Sequence, residues 1–195
     1  FVLIASIVCG GNGHPTLSFT MPFTRASGIL LHPTSLPGRY GIGDLGEAAY
    51  GFVDFLTETK QQLWQILPLG PTGHGNSPYM CYSAMAGNPL LISLEALVEQ
   101  GLLETSDLAQ VPDFSHDRVE YNQVIPYKLG LLKQAAQRFQ PDASQEFQDF
   151  CQAQSYWLED YSLFMALKDA HHGASWSDWD AAIARREPDA METWR

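Results

Sequence analysis

The side chains best suited to chemistry are concentrated in one stretch: His74-Gly75-Asn76-Ser77-Pro78-Tyr79, then Cys81-Tyr82-Ser83, closing at Gly87-Asn88-Pro89. The stretch offers hydroxyls, amides and aromatic rings with almost no charge. A sugar presents an apolar face of ring C–H groups and a belt of hydroxyls, so flat aromatics with directional neutral donors and acceptors are what bind it. Tyr79 is the leading candidate, because Pro78 restrains it and the small hydroxyl of Ser77 flanks it. Its competing reading is a core tyrosine with a bonded hydroxyl. Arg39 and Tyr40 also have the reach for a sugar, but loop arginines are usually solvated.

The acids do not form a comparable group. Asp44 and Asp54 fit helix-capping and solvated-face roles better than acid catalysis. His32, alone at a strand end, reads as structural. The pair His171-His172 would need carboxylate or cysteine partners to hold a metal, and adjacent side chains on a helix point apart, so no metal site is expected. The three cysteines, Cys9, Cys81 and Cys151, are odd in number and lack ligand spacing. Neither a disulfide framework nor a zinc site follows, and a reducing cytoplasm fits best.

The elements that must position the candidate stretch come before it. Ser27 to Leu31 is an apolar run with Gly28 at its head, stopped by His32-Pro33, since the residue before proline is pushed out of helical geometry. Asp44-Leu45-Gly46-Glu47 has the form of a capping box opening a helix. Leu45, Ala48, Ala49, Phe52, Val53, Phe55 and Leu56 then recur at helical spacing until Thr59-Lys60. Leu63-Trp64-Gln65-Ile66-Leu67 is too short for a stable helix and ends in Pro68, Gly70, Pro71 and Gly73, so it reads as a buried strand emptying into a shaped loop. Strand, helix and strand in about forty residues make a β-α-β unit with parallel strands.

After Pro89 helices dominate. An apolar run at 90–94 feeds a short helix with Gly101 near its end, and Pro112 to Ser115 forms a link. Leu129, Leu132, Lys133, Ala136 and Phe139 suggest one helical stripe, ended by Gln140-Pro141. Phe147, Phe150 and Cys151 mark a second helix. A third spans Tyr156 to Leu167 and is stopped at Gly173. Trp176 and Trp179 pack a last helix before Arg185-Arg186.

Two long motifs carry a family likeness. Gly28-Ile-Leu-Leu-His-Pro-Thr-Ser-Leu-Pro-Gly38 with Gly41-Ile-Gly-Asp-Leu-Gly46, and Leu63-Trp-Gln-Ile-Leu-Pro-Leu-Gly-Pro-Thr-Gly73 with Asn76-Ser-Pro-Tyr79 and Ala86-Gly-Asn-Pro89, resemble the 4-alpha-glucanotransferases, or amylomaltases. The likeness runs from about Pro22 to the end of the chain and covers the N-terminal part of a family member. It implies an α/β fold: the first β-α-β of a TIM (β/α)8 barrel, with ligand loops after the strands, followed by a mostly helical insertion. Only two clear parallel strands are present where a closed barrel needs eight. The expected division is therefore 21–89 for the barrel portion and 90–195 for the insertion. Residues 1–20 are upstream or extension sequence, since Met21 stands where family members commonly begin.

The resemblance also implies transfer of an α-1,4-glucan segment to glucose or another glucan, with retention. Its partners would be maltooligosaccharides, amylose or starch-type glucans, and glucose as acceptor. Tyr79 is expected to pack on a glucosyl unit with Ser77 nearby. His74 stands where several relatives carry an aromatic ring that helps hold a second stretch of glucan. Retention requires a nucleophilic carboxylate and an acid/base carboxyl about 5 Å apart. In the family these acids lie beyond the last residue of this chain, and no Asp or Glu here matches them. A catalytically silent oligosaccharide-binding piece and part of an α-amylase-type hydrolase are the alternatives.

Composition agrees with a neutral ligand. Twenty-two acids against 11 bases give a formal charge of −11. That disfavours nucleic acid and anionic membranes, which need a basic footprint. The apolar opening, Phe1 to Cys9, lacks a basic n-region and is too short to span a bilayer. A hydrophobic content of 45% with 12% aromatics argues for a globular chain, the 17% charged content is somewhat low for an ordinary domain, and no cofactor is called for.

Overall fold

The computed structural model describes residues 25–194, so the expectation for residues 1–20 lies outside the described residues. Strand β1 (Gly28–Leu30) is followed by helix α1 (Glu47–Glu58) and strand β2 (Leu63–Gln65), and β1 pairs with β2 in parallel, Gly28 opposite Leu63 and Leu30 opposite Gln65. The predicted β-α-β unit is therefore present, with strands of three residues each. Neither strand is fully buried, and Leu30 is 59% exposed.

Helix α1 begins later than a capping box at Asp44 requires. Its N-cap is Gly46, which has no side chain to offer. Asp44 instead accepts from the Gly46 backbone N–H through Oδ1 (3.0 Å) and turns its other oxygen toward the Lys128 ammonium. The helix buries Ala49 and Leu56, while Phe52 meets Trp64 edge-on at 4.9 Å, which ties helix to strand. The Trp64 indole N–H donates to the Leu31 carbonyl (2.7 Å), locking β2 against the exit of β1.

Further helices follow: α2 (Leu94–Glu99), α3 (Tyr121–Arg138), α4 (Gln145–Ala153), α5 (Ser155–Ala170), α6 (Ala181–Ala184) and α7 (Pro188–Trp194). Ser93 caps α2 by accepting from Ala96 N–H, and Ser144 caps α4 by accepting from Phe147 N–H, as the short hydroxyls at helix starts predict. The chain divides into two compact units, one ending at Phe139 and one beginning at Gln140.

The first unit is cored by the loop after β1. Tyr40 and Ile42 are each 2% exposed and pack into adjoining clusters with Leu94, Leu103, Leu108 and Leu131, and with Leu90, Phe114 and Val124. Tyr127 of α3 bridges them, stacking on Tyr40 at 6.2 Å and meeting Phe114 edge-on at 5.6 Å. The buried face of α3 is Val124, Lys128, Leu131 and Ala135, one position away from the predicted stripe. Lys133 and Ala136 face solvent. Apolar content alone misplaced the face because its centre is a lysine.

In the second unit Leu167, Trp179 and Ile183 form the core. Gly173, at φ +78°, ends α5 by donating its N–H to the Lys168 carbonyl (2.7 Å). His171 stacks on Trp179 at 5.2 Å, with its Nδ1 2.7 Å from the Leu167 carbonyl.

Candidate functional site

The candidate loop leaves β2 and folds back on itself. Thr72 and Cys81 form an antiparallel bridge, Gly73 N–H donates to Met80 O (2.7 Å), and Tyr82 N–H donates to Pro71 O (3.0 Å). Between those rungs, His74–Asn76 makes a single 3-10 turn, with Gly75 and Asn76 at φ +66° and +54°. Gly73 is required where it stands: a Cβ there would lie 2.7 Å from the Met80 carbonyl oxygen.

This geometry gathers the three predicted residues onto one reversal of the chain. Ser77 ends the 3-10 turn, and its Oγ accepts from the Tyr79 N–H (3.3 Å) while its carbonyl accepts from Met80 N–H (3.0 Å). Tyr79 is thereby held at the turn's apex, 67% exposed, so the core-packing reading of this ring does not hold. His74 is exposed and Ser77 half-buried. The loop exposes further apolar area that the sequence reading did not single out, at Met80 (57%), Tyr82 (40%) and Met85 (51%). The uncharged run Met80-Cys81-Tyr82 is the signal the sequence offers.

The foot of the loop is equally well defined. Asn88 N–H donates to Leu69 O (2.7 Å), closing the loop, and Asn88 Oδ1 accepts from Leu90 N–H (3.0 Å). Ser83 Oγ accepts from the N–H groups of Met85 and Ala86. Gly70 lies against Ser83 O and Cys81, close enough that a Cβ would be 2.8 Å from that oxygen. These bonds hold the loop to itself at both ends, leaving its exposed side chains for a ligand.

The other residues weighed in the sequence fall elsewhere. Tyr40 is core, and burial together with the neighbouring Glu95 carboxylate raises its hydroxyl well above the ordinary tyrosine range. Arg39 lines a separate open groove of about 860 Å³ between residues 34–42 and 112–119. His32 is half-buried at the exit of β1; its Nδ1 is buried without a hydrogen-bond partner, and burial holds the ring below the usual histidine value. Asp54 is exposed on α1. Among the described residues no three His, Cys, Asp or Glu side chains converge as a metal site, and no helix is long and apolar enough to cross a membrane.

A parallel β-α-β unit that presents an uncharged aromatic loop beyond its second strand defines an α/β protein. The comparison with solved structures agrees: amylomaltase from Streptococcus agalactiae in complex with acarbose is 40% identical and superposes with a TM-score of 0.83, over 88% of this chain and 35% of that one. A family model described as 4-alpha-glucanotransferase matches residues 31–195, and the chain belongs to that family. Among curated relatives, the 4-alpha-glucanotransferase of Synechocystis is 60% identical over 174 residues, covering 87% of this chain and 34% of the relative. The Thermus thermophilus protein of the same name is 47% identical over 175 residues, covering 88% and 34%. The chloroplastic/amyloplastic protein of Solanum tuberosum is 42% identical over 177 residues, covering 86% and 30%. The chain spans about a third of the length of these relatives.

Proposed function

We propose that these residues form the glucan-holding wall of a 4-alpha-glucanotransferase, which moves a segment of a 1,4-α-glucan to glucose or another glucan with retention. In this reading Tyr79 stacks on a glucosyl ring, Ser77 offers its hydroxyl beside it, and His74 edges an accessory contact. The ligands are maltooligosaccharides, amylose or starch-type chains. The observation that carries the reading is a tyrosine 67% exposed at the apex of an internally bonded, uncharged loop that follows a parallel strand. The acarbose bound to the structural relative supports a saccharide as the ligand class.

The same reading makes β1-α1-β2, within residues 21–89, the opening of a (β/α)8 barrel, with 90–195 as a helical insertion and the cytoplasm as its location. Leu30, Tyr50 and Phe55 are 59%, 72% and 46% exposed, the kind of apolar surface that further barrel elements cover. The reacting carboxylates are placed outside these 195 residues.

The test is calorimetric titration of the chain with maltotriose. Wild type binds, Tyr79→Phe stays within about twofold, and Tyr79→Ala weakens the Kd about tenfold, since ring stacking and not the hydroxyl carries the contact. The same wild-type sample releases no glucose and makes no longer oligomers. Equal binding by Tyr79→Ala, or disproportionation by the chain alone, would overturn the assignment.

A further inference from the structure

Lys128, in the middle of α3, is wholly buried (0% exposed) and is the charged residue of an otherwise apolar helix face. Its ammonium donates to the Leu90 carbonyl (2.6 Å) and to Asp44 Oδ2 (3.1 Å). Burial draws the ammonium below the usual lysine range, while Asp44 and, behind it, Glu95 push the other way. A buried ion pair is a poor way to add stability, because desolvation consumes most of the attraction and apolar residues of similar volume often do as well. What the pair does supply is direction: a fixed set of donors and acceptors that accepts one arrangement of the segments around it.

Two segments converge on it. Asp44 belongs to the loop after β1 and is itself fixed by Gly46 N–H. Leu90 lies two residues beyond Asn88, whose N–H closes the 68–89 loop on Leu69 and whose Oδ1 takes the Leu90 N–H. Leu45 N–H donates to the Leu91 carbonyl (3.0 Å), so the two segments are also stitched to each other beside the ammonium. The close fit is confirmed at Gly46, where a Cβ would meet Ser93 Oγ and Asp44 Oδ1, both at 2.8 Å. We infer that Lys128 is a positioning residue for saccharide binding: through Leu90 and Asp44 it sets the foot of the loop that presents Ser77 and Tyr79. It touches no ligand itself, and the inference rests on the glucan-binding reading above.

The experiment compares wild type, Lys128→Met, Asp44→Asn and the double variant by three readouts: thermal unfolding, maltotriose titration, and amide hydrogen exchange. Lys128→Met and Asp44→Asn each leave a charge shielded from water without its counter-charge, so both unfold at lower temperature, and removing both charges recovers part of the loss. Maltotriose binding does not recover with it: the double variant remains about tenfold weaker than wild type, because nothing holds the Leu90 carbonyl. At a temperature where every variant is folded, exchange at Asn88 rises at least about tenfold while exchange at Leu31, which donates to Gln65 on the strand pair, is unchanged. A double variant that binds like wild type, or Asn88 protection that survives loss of Lys128, would overturn the inference. If wild type itself fails to bind maltotriose, the saccharide reading falls instead, and Asn88 exchange alone then decides whether Lys128 sets the loop's foot.

Discussion

At the scale of single residues, the division between legible and hidden follows chemistry. Tyr79 and Ser77 were readable because exposed aromatic and hydroxyl side chains beside a proline in an uncharged run have few structural uses. Lys128 was not, because a lysine at helical spacing among leucines is ordinarily a solvated residue, and only its partners 84 and 38 residues away reverse that. Tyr40 shows the converse: a tyrosine in a glycine-rich loop looks available, yet it anchors the core. His32 was read as structural, and its buried, unpartnered Nδ1 gives that role a pH signature. The folded ring has a value below its ordinary 6.5, so as pH falls through that value the unfolded chain takes up a proton the folded chain refuses. Stability from this group is complete well above 6.5 and is lost toward acid until the folded value is reached. Urea unfolding of wild type and His32→Asn between about pH 8 and 5 should show a shallower acid-side loss in the variant. Parallel pH slopes would remove His32 from the account.

At the scale of elements, the β-α-β unit was recoverable from hydrophobic runs and proline stops, and the ends of α3 and α5 from Pro141 and Gly173. The boundaries that moved did so for identifiable reasons. Asp44 resembled an N-cap because its spacing to Glu47 matches a capping box, but the carboxylate is engaged by Lys128 and the helix starts from Gly46. The apolar run extends to Leu67, whereas β2 pairs with β1 only through Gln65. For the candidate loop, the decisive local feature is the rung between Gly73 and Met80. Gly73→Ala places a Cβ 2.7 Å from the Met80 oxygen, so the rung must open. Limited proteolysis should then cut within residues 73–83 several times faster than in wild type, with the thermal midpoint moved by only a few degrees. Unchanged cleavage would mean the loop is held by something other than its own rungs.

At the scale of the molecule, a chain about a third as long as its relatives carries a self-bonded loop on a two-stranded sheet. Two paired strands, a helix between them and a polar brace from α3 suffice to fix one loop, while Leu30, Tyr50 and Phe55 remain uncovered. The loop's chemistry is legible in the sequence because it is local; the brace that holds it joins residues 84 and 38 positions apart and is legible only in the fold. The most direct measurement of the central claim is amide chemical-shift mapping of the chain during titration with maltotriose. The account predicts saturable shifts concentrated in residues 73–83, with the largest at Ser77 and Tyr79 and little change in α4 to α7. Saturable shifts confined to other residues, or none at all with the loop folded, would contradict it.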